Sequence, residues 1–263
     1  VMVQSRELRL AHGLNFRDLG GYVTLDGQMV SWHRLVRSGY LSSLTKAEQD
    51  RLARYGIRTV IDLRTSSEIA HYPDRYPLSF NYIQLPVLET DITGGDTSNQ
   101  SLKRLLSRSP RAGFDMMMRA YRVLVLSTDA ERSYRLFLEL LAQINVDDGG
   151  VVFHCSTGKD RTGWATALLL GALGVPARTI LHDYLLTNTV LAKWRQQRLK
   201  DVAVSRLGPA YKRSLRDLSL ARPEYFEQAW SLMNYQFGGL TNYLRDELKL
   251  DVSVVHQLRK LYL

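Results

Sequence analysis

The sequence contains a single cysteine, Cys155, among 263 residues. An intramolecular disulfide is therefore impossible, and the Cys-rich sites that hold structural metal ions are excluded. A lone cysteine is usually a small, buried, apolar side chain. The residues around Cys155 decide between that interpretation and a reactive thiol.

The sequence also lacks a long hydrophobic run. Its most apolar stretch, residues 164–176, is too short to cross a bilayer and contains two glycines. It predicts a buried helix, and we expect no stable membrane insertion. The first residues carry no apolar stretch typical of a signal peptide. We therefore expect a cytoplasmic, reducing location, while the sequence leaves export into a host or the medium open.

Basic residues exceed acidic ones, but they form no long block. The 35 Lys and Arg residues against 26 Asp and Glu residues give a formal net charge of +9. This excess favours anionic partners such as phosphoproteins or phospholipid headgroups. Because nucleic-acid-binding arms concentrate their basic residues, we expect no nucleic-acid partner. The sequence does not indicate an oligomeric state.

Short apolar strands alternate with helical segments before Cys155. Four segments are predicted as strands: 35–38, 59–63, 81–85 and 151–153. One helix is predicted to begin at Thr45, with Glu48 completing a capping box. Another is predicted to begin at Thr128 or Asp129.

This alternation predicts an α/β fold with a central, mostly parallel sheet flanked by helices. From about residue 176 the pattern is mostly helical, which predicts a helical C-terminal half. We find no repeat and no linker, so a single domain over 1–263 is the simplest organisation. Residues 89–101 are rich in Asp, Thr, Gly and Ser and predict a loop. The helices around 187–235, including a basic amphipathic segment at 194–206, could cover a site.

The segment 154–163 reads His-Cys-Ser-Thr-Gly-Lys-Asp-Arg-Thr-Gly and lies between an apolar strand and an apolar helix. A thiol attacks phosphorus as a thiolate, which a helix N-terminus or nearby positive charge favours. A loop that runs from a strand end into a helix also offers backbone N–H groups to a phosphate. Open α/β sheets bind their ligands at such strand ends. The segment therefore predicts a phosphate site with Cys155 as nucleophile.

Arg161 is the sixth residue after Cys155, so the loop can return its guanidinium to two phosphate oxygens. Thr162 is predicted to donate its hydroxyl to the Cys155 sulfur, and His154 to fix the loop backbone. The residues predicted to bind phosphate are Ser156, Thr157, Gly158, Lys159, Asp160 and Arg161.

The loop resembles that of protein tyrosine phosphatases, and most closely a bacterial branch with the sequence His-Cys-x-x-Gly-Lys-Asp-Arg-Thr-Gly. Four further segments resemble this branch in the same order: 15–21, 37–39, 60–64 and 242–244. The resemblance implies the phosphatase fold, a phosphocysteine intermediate, and no metal or other cofactor. It implies hydrolysis of phosphotyrosine, with phosphoserine, phosphothreonine or phosphoinositides as further substrates.

The residue that protonates the leaving group stays open. Eukaryotic-type tyrosine phosphatases carry this acid in a Trp-Pro-Asp loop, which the sequence lacks. Asp160 is the first candidate, because the bacterial branch is thought to use this position, although a structural ion pair is the alternative. Asp62, at the end of a predicted strand, is the second. Asp91 or Asp96 could act by loop closure.

Two basic residues have open roles. Lys159 could place a second positive charge near the phosphate, as in loops of phosphoinositide phosphatases, or only tune the Cys155 thiolate. Arg64 could bind an anionic substrate or be solvated. The segment 15–21 is interpreted as structural, with Gly20-Gly21 forming a turn.

Two other functions would use part of the same loop. A phosphate-binding module without turnover would not need Cys155, Arg161 and Thr162 together. Sulfur transfer through a cysteine persulfide would need no arginine at position 161. The phosphatase is therefore the favoured function.

Overall fold

A five-stranded sheet forms the centre of the molecule. The computed structural model describes residues 5–94, 100–203 and 207–263. The strands are β1 (Arg17–Asp18), β2 (Leu35–Ser38), β3 (Ile57–Asp62), β4 (Asn81–Gln84) and β5 (Gly150–His154). They lie in the order β1-β2-β5-β3-β4, and every neighbouring pair is parallel except β1 and β2. The predicted α/β class with a mostly parallel central sheet is confirmed.

β5 lies at the centre of the sheet, which explains its apolar sequence. Val152 pairs with Val36 of β2 on one side and with Val60 of β3 on the other. A parallel strand with helices on both faces buries all its residues, and every residue of β5 is buried. The same register aligns the last residues of three strands: Ser38, Asp62 and His154.

Helices pack around the sheet. In the described ranges they are α1 (Lys46–Tyr55), α2 (Ser66–His71), α3 (Gln100–Ser107), α4 (Ala112–Leu126), α5 (Thr128–Gln143), α6 (Arg161–Ala172), α7 (Ala177–Val190), α8 (Ala192–Ala203), α9 (Pro209–Ser219), α10 (Pro223–Phe237), α11 (Leu240–Asn242) and α12 (Val252–Tyr262). A π-helical turn, Tyr243–Glu247, follows α11 directly. All described elements after β5 are helical, which confirms the predicted helical C-terminal half.

The predicted N-terminal cap is correct for α1 but not for α5. The Thr45 hydroxyl accepts the Glu48 N–H, and the Glu48 carboxylate accepts the Thr45 N–H, so the predicted capping box is confirmed. The cap predicted for α5 is wrong, because Ser127 accepts the capping N–H. Thr128 and Asp129 lie in the first turn, where a carboxylate interacts favourably with the helix dipole.

The apolar stretch after the predicted loop forms a buried helix, as predicted. All residues of α6 except Gly171 are buried, including Trp164. A helix that is apolar on every side is typical of a protein core. Among the described helices, none combines the length and apolarity needed to cross a membrane.

The predicted loop at 89–101 is partly correct. Residues 89–94 form no regular element, whereas 95–99, with Asp96, lie outside the described residues. α3 begins inside the predicted loop, because its leucines recur at helical spacing and Leu106 is buried.

The accessory helices predicted around 187–235 correspond to the end of α7, to α8 and α9, and to most of α10. The basic segment at 194–206 is helical through Ala203, and 204–206 lie outside the described residues. A single domain over 1–263 stays a prediction.

Candidate active site

The predicted phosphate loop joins β5 to α6. β5 ends at His154 and α6 begins at Arg161, so residues 155–160 form the loop. Gly158 has a φ of +69°, and a Cβ there would lie 2.3 Å from the carbonyl oxygen of Ser38. Both the left-handed conformation and this close approach require glycine at the position.

Buried side chains hold the outer side of the loop. Asn15 Nδ2 donates to the carbonyl oxygens of Thr157 at 3.0 Å and Gly158 at 3.1 Å. Arg37 Nη2 donates to the Gly158 oxygen at 2.6 Å. In a trans peptide the N–H points away from the C=O, so the N–H groups of Gly158 and Lys159 face inward, as in backbone nests that bind anions.

Asp183 of α7 holds the arginines behind the loop. Its Oδ2 lies 2.6 Å from Arg37 Nη1 and 3.6 Å from Arg17 Nη2, and its Oδ1 accepts the Tyr22 hydroxyl at 2.8 Å. Burial opposes ionisation of Asp183, but the two arginines lower its pKa to about 2. The sequence analysis missed Asp183, because no local pattern connects α7 with the loop.

Arg161 turns back over the loop and binds a carboxylate. Its Nη1 and Nη2 donate to Glu68 Oε2 and Oε1 at 2.7 Å and 2.8 Å, and the Ser156 hydroxyl donates to the same carboxylate. Burial opposes ionisation of Glu68, but the hydrogen bonds and charge of Arg161 hold its pKa at about 2. The sequence analysis missed Glu68. Its only local signal is the capping box that Glu68 forms with Thr65 at the start of α2.

Cys155 lies on the floor of a narrow pocket and is only 2% exposed. Ser156, Thr157, Lys159, Asp160 and Arg161 line this pocket with it. The predicted hydrogen bond from Thr162 to the sulfur is not formed, since the Thr162 hydroxyl is buried without a hydrogen-bond partner among the described residues. A helical threonine has two accessible rotamers, and sequence spacing does not choose between them.

Lys159 binds backbone oxygens. Its Nζ donates to the carbonyl oxygens of Leu218 and Leu220, at the C-terminal end of α9. Carbonyl groups at a helix end have no partner within the helix, and a lysine satisfies them well. Lys159 also lines the Cys155 pocket, so the second positive charge that it would place near the phosphate stays a prediction.

Asp160 is buried and lines the Cys155 pocket. Its Oδ1 accepts a hydrogen bond from the Tyr121 hydroxyl at 2.9 Å and lies 3.5 Å from Lys159 Nζ. Burial raises the pKa of Asp160, against the opposing charge of Lys159. A carboxyl that is easier to protonate and borders the Cys155 pocket suits an acid better than a purely structural ion pair.

Comparison with known proteins decides the family. A model described as the tyrosine phosphatase family matches residues 8–263. The chain belongs to the tyrosine phosphatase family. Its predicted class, a cysteine-dependent phosphatase acting on phosphorylated substrates, is thereby confirmed.

Several relatives of this phosphatase are known. A protein of Cupriavidus necator, provisionally named as a tyrosine-protein phosphatase, is 32% identical over 249 residues, covering 95% of this chain and 85% of its own length. The triple specificity protein phosphatase PtpB of Mycobacterium tuberculosis is 31% identical over 257 residues, covering 88% of this chain and 90% of its own length. A tyrosine-protein phosphatase of Nostoc commune is 35% identical over 151 residues, covering 57% of this chain and 46% of its own length.

Beneath the loop of the phosphatase, His154 lies in a closed cluster of charges. Its Nε2 is 2.6 Å from Asp74 Oδ2 and 3.7 Å from Asp62 Oδ2, and its Nδ1 hydrogen-bonds to the Cys155 carbonyl oxygen at 2.9 Å. Arg64 Nη2 contacts both carboxylates, at 2.7 Å and 3.0 Å. The contact to Cys155 is the one that a loop-organising histidine requires.

The oxygens of Asp62 and Asp74 and a nitrogen of His154 lie close enough together to ligate a metal ion. However, Arg64 and His154 already neutralise both carboxylates. Burial opposes ionisation of Asp62, but His154 and Arg64 hold its pKa below the usual range. This cluster therefore suits a structural ion-pair network, which fits neither the acid role considered for Asp62 nor a substrate-binding Arg64.

We expect His154 to make stability pH-dependent on the alkaline side. Burial opposes its charge, but Asp74 and Asp62 raise its pKa from 6.5 to about 9. A raised pKa gives a contribution that is complete below pH 6.5 and lost as pH rises through about 9. The shift corresponds to a loss in the free energy of unfolding on the order of 3 kcal/mol.

Urea unfolding measured across this pH range tests the expectation. The free energy of unfolding of His154→Gln should fall much less from pH 6.5 to 9 than that of the wild type. His256→Gln, at an exposed position of α12, is the matched control and should follow the wild type. An equal slope in all three proteins would refute the assignment.

Asp91, in the segment after β4, contacts Arg161 and lines a cavity next to the Cys155 pocket. Its Oδ1 lies 3.6 Å from Arg161 Nη2 and accepts the Thr93 N–H at 2.8 Å, and 12% of its side chain is exposed. Asp91 therefore remains the alternative acid.

A cavity of about 600 Å³ adjoins the Cys155 pocket. Tyr40, Tyr72 and Met116 contribute to its walls, and Trp194 and Arg198 of α8 line both the cavity and the pocket. The helix predicted as accessory thus borders the mouth of the active site.

Proposed function

We propose that Cys155 hydrolyses phosphotyrosine through a phosphocysteine intermediate, without a metal or other cofactor. The observation that carries the proposal is the loop itself. Cys155 and Arg161 line its pocket together, and Asn15 and Arg37 bind its carbonyl groups from outside. The inward N–H groups and the guanidinium supply the positive charge that a phosphoryl transition state needs.

The reaction has two steps. The Cys155 sulfur forms a bond to phosphorus, the bond to the leaving oxygen breaks, and Asp160 gives that oxygen a proton. Water then attacks phosphorus, its proton passes to the Asp160 carboxylate, and the bond from phosphorus to sulfur breaks. The thiolate and the protonated acid are thereby restored.

Arg161 is arranged to bind phosphate while Glu68 still holds it. Its Nε is buried without a hydrogen-bond partner among the described residues. A guanidinium presents five N–H donors, so Nε and an Nη N–H can face two phosphate oxygens while the remaining donors stay on Glu68. The unpaired Thr162 hydroxyl offers another donor beside the loop.

The depth of Cys155 favours phosphotyrosine among the candidate substrates. A long aryl phosphate reaches the floor of a narrow pocket more easily than the short side chain of phosphoserine. The adjoining cavity and the basic Arg198 leave room for larger substrates, and the name of the mycobacterial relative includes triple specificity. Phosphoserine, phosphothreonine and phosphoinositides are therefore proposed as secondary substrates. Because the mechanism needs a reduced thiol, we also propose a cytoplasmic location.

Phosphate release by the purified wild type tests the proposal. We expect turnover of a phosphotyrosine peptide, slower release from phosphoserine peptides and phosphoinositide micelles, and unchanged rates with EDTA. Acid quenching during turnover should trap phosphate on Cys155, identified by mass spectrometry. Binding of the peptide without release of phosphate would instead show a phosphate-binding module.

We expect Asp160→Asn to lower kcat for the phosphotyrosine peptide by about 100-fold, as for loss of a general acid. A nitrophenyl phosphate, whose leaving group is a much weaker base, should lose far less. Asp91→Asn, at the other carboxylate considered as the acid, is the matched comparison and should show no such dependence on the leaving group. The reverse pattern would move the acid role to Asp91.

A further inference from the structure

A chain of two tyrosine hydroxyls ends on Asp160. The Tyr121 hydroxyl of α4 lies 2.9 Å from Asp160 Oδ1 and 2.9 Å from the Tyr184 hydroxyl of α7. All three side chains are buried, with Tyr121 and Tyr184 each 1% exposed. The proposed reaction so far uses neither tyrosine.

The direction of the hydrogen bonds follows from what each group can donate. An ionised carboxylate only accepts, so the Tyr121 proton goes to Asp160 Oδ1. A hydroxyl has one proton, and therefore Tyr184 donates to the Tyr121 oxygen. Lys159 Nζ also lies 3.5 Å from Oδ1. With Oδ1 occupied as an acceptor, the proton that Asp160 transfers resides on Oδ2.

We propose that Tyr121 is a positioning residue, which holds Asp160 Oδ1 so that Oδ2 carries the transferred proton into the Cys155 pocket, and that Tyr184 orients Tyr121. The proposal rests on the proposed role of Asp160 as the acid. Carboxyl groups rotate easily about their last bond. A fixed donor on one oxygen removes that freedom and keeps the other oxygen at the substrate, which is how orientation contributes to catalysis.

The surroundings of Asp160 explain why this donor matters. Groups from six elements face its carboxyl: Cys155 and Lys159 of the loop, Arg161 of α6, Tyr121 of α4, Tyr134 of α5, Tyr184 of α7 and Tyr225 of α10. Burial raises the pKa of Asp160, whereas Lys159 and the Tyr121 hydrogen bond lower it. Tyr121 therefore contributes to lowering the pKa of the acid as well as to orienting it.

Packing alone does not account for the hydroxyls. The Tyr121 ring lies edge-on to Tyr184, with centroids 6.1 Å apart, and 5.9 Å from the Tyr225 ring. A phenylalanine would keep both ring contacts. Tyr121→Phe and Tyr184→Phe thus remove the hydrogen bonds and leave the apolar packing in place.

The test is the pH dependence of kcat/KM for the phosphotyrosine peptide, measured with all 263 residues present. Activity falls at high pH as the acid loses its proton. Tyr121→Phe loses a hydrogen bond that stabilises the carboxylate, so this alkaline limb of the pH profile should move about one pH unit higher. The maximal rate should fall about tenfold. Tyr184→Phe should move it in the same direction by less. Tyr262→Phe, which removes a buried hydroxyl bonded to the Leu141 carbonyl, should not move it.

Asp160→Asn separates the failure of this inference from that of the proposed function. If Asp160→Asn abolishes the limb and Tyr121→Phe leaves it in place, Asp160 is the acid and the positioning role is overturned. If Asp160→Asn retains the wild-type limb, the acid assignment itself fails. A lower rate in Tyr121→Phe without movement of the limb would show a merely structural tyrosine, which also overturns the inference. Circular dichroism melting curves of each variant confirm that it is folded.

Discussion

Cys155→Ser is expected to lose phosphate release by a factor on the order of 10⁴ or more. A serine hydroxyl keeps its proton at neutral pH far more firmly than a thiol does, so it is a much weaker nucleophile here. The mechanism also requires a sulfur that leaves from phosphorus in the second step, and an alkoxide leaves far less readily. Because both steps use the same atom, no other residue of the pocket replaces it. Initial rates with the phosphotyrosine peptide, in the presence of EDTA, measure the loss.

The same variant should still bind its substrate. Asn15, Arg37 and Glu68 hold the loop and Arg161 independently of the thiol, so the phosphate cradle remains. Fluorescence anisotropy with a labelled phosphotyrosine peptide should give a Kd within a few-fold of the KM of the wild type. Residual turnover within 100-fold of the wild type would contradict a phosphocysteine intermediate. Loss of binding together with turnover would show that Cys155 is needed for the loop conformation.

The loop could be predicted from the sequence because its chemistry is local. The strand, Cys155, Gly158 and the start of α6 follow one another, and each has a physical reason at its position. The α/β class followed in the same way from the alternation of apolar strands with helices. The register that aligns the ends of β2, β3 and β5 then places distant residues at the same edge of the sheet.

The residues that support the loop could not be predicted in the same way. Glu68 lies 93 positions from Arg161, and Asp183 lies 146 from Arg37. The sequence around Glu68 indicates only a capped helix, and the sequence around Asp183 indicates only the interior of a helix. Contacts of this kind depend on how α2 and α7 pack against the sheet, which hydrophobic periodicity does not determine.

Lys159 shows the limit of reasoning from a motif. A lysine in a phosphate loop suggests a second charge for the ligand, and only the fold shows that it also binds the carbonyl groups at the end of α9. Tyr121 shows the reverse case. A tyrosine within an apolar helix is typical of a core, and only the fold brings its hydroxyl to Asp160.

Arg161→Lys should lower kcat/KM by about 1,000-fold or more, although the positive charge is retained. The guanidinium binds Glu68 through Nη1 and Nη2 and still has Nε for the phosphate. A lysine ammonium donates from one nitrogen at the end of a flexible chain and lacks the planar fork of a guanidinium. It therefore cannot hold Glu68 and two phosphate oxygens together. Both transition states carry charge on the phosphate oxygens, and both should therefore lose stabilisation. Single-turnover rates of phosphocysteine formation and of its hydrolysis measure the two losses separately.

Vanadate inhibition and an exposed control complete this experiment. Vanadate resembles the transferring phosphoryl group, so its inhibition constant should rise in Arg161→Lys together with the loss in kcat/KM. Arg245→Lys, at an exposed ion pair with Asp246, should leave both quantities unchanged. A loss of less than tenfold in Arg161→Lys would mean that charge alone is sufficient. The bidentate geometry, and with it the role of Glu68 in holding that geometry, would then have to be abandoned.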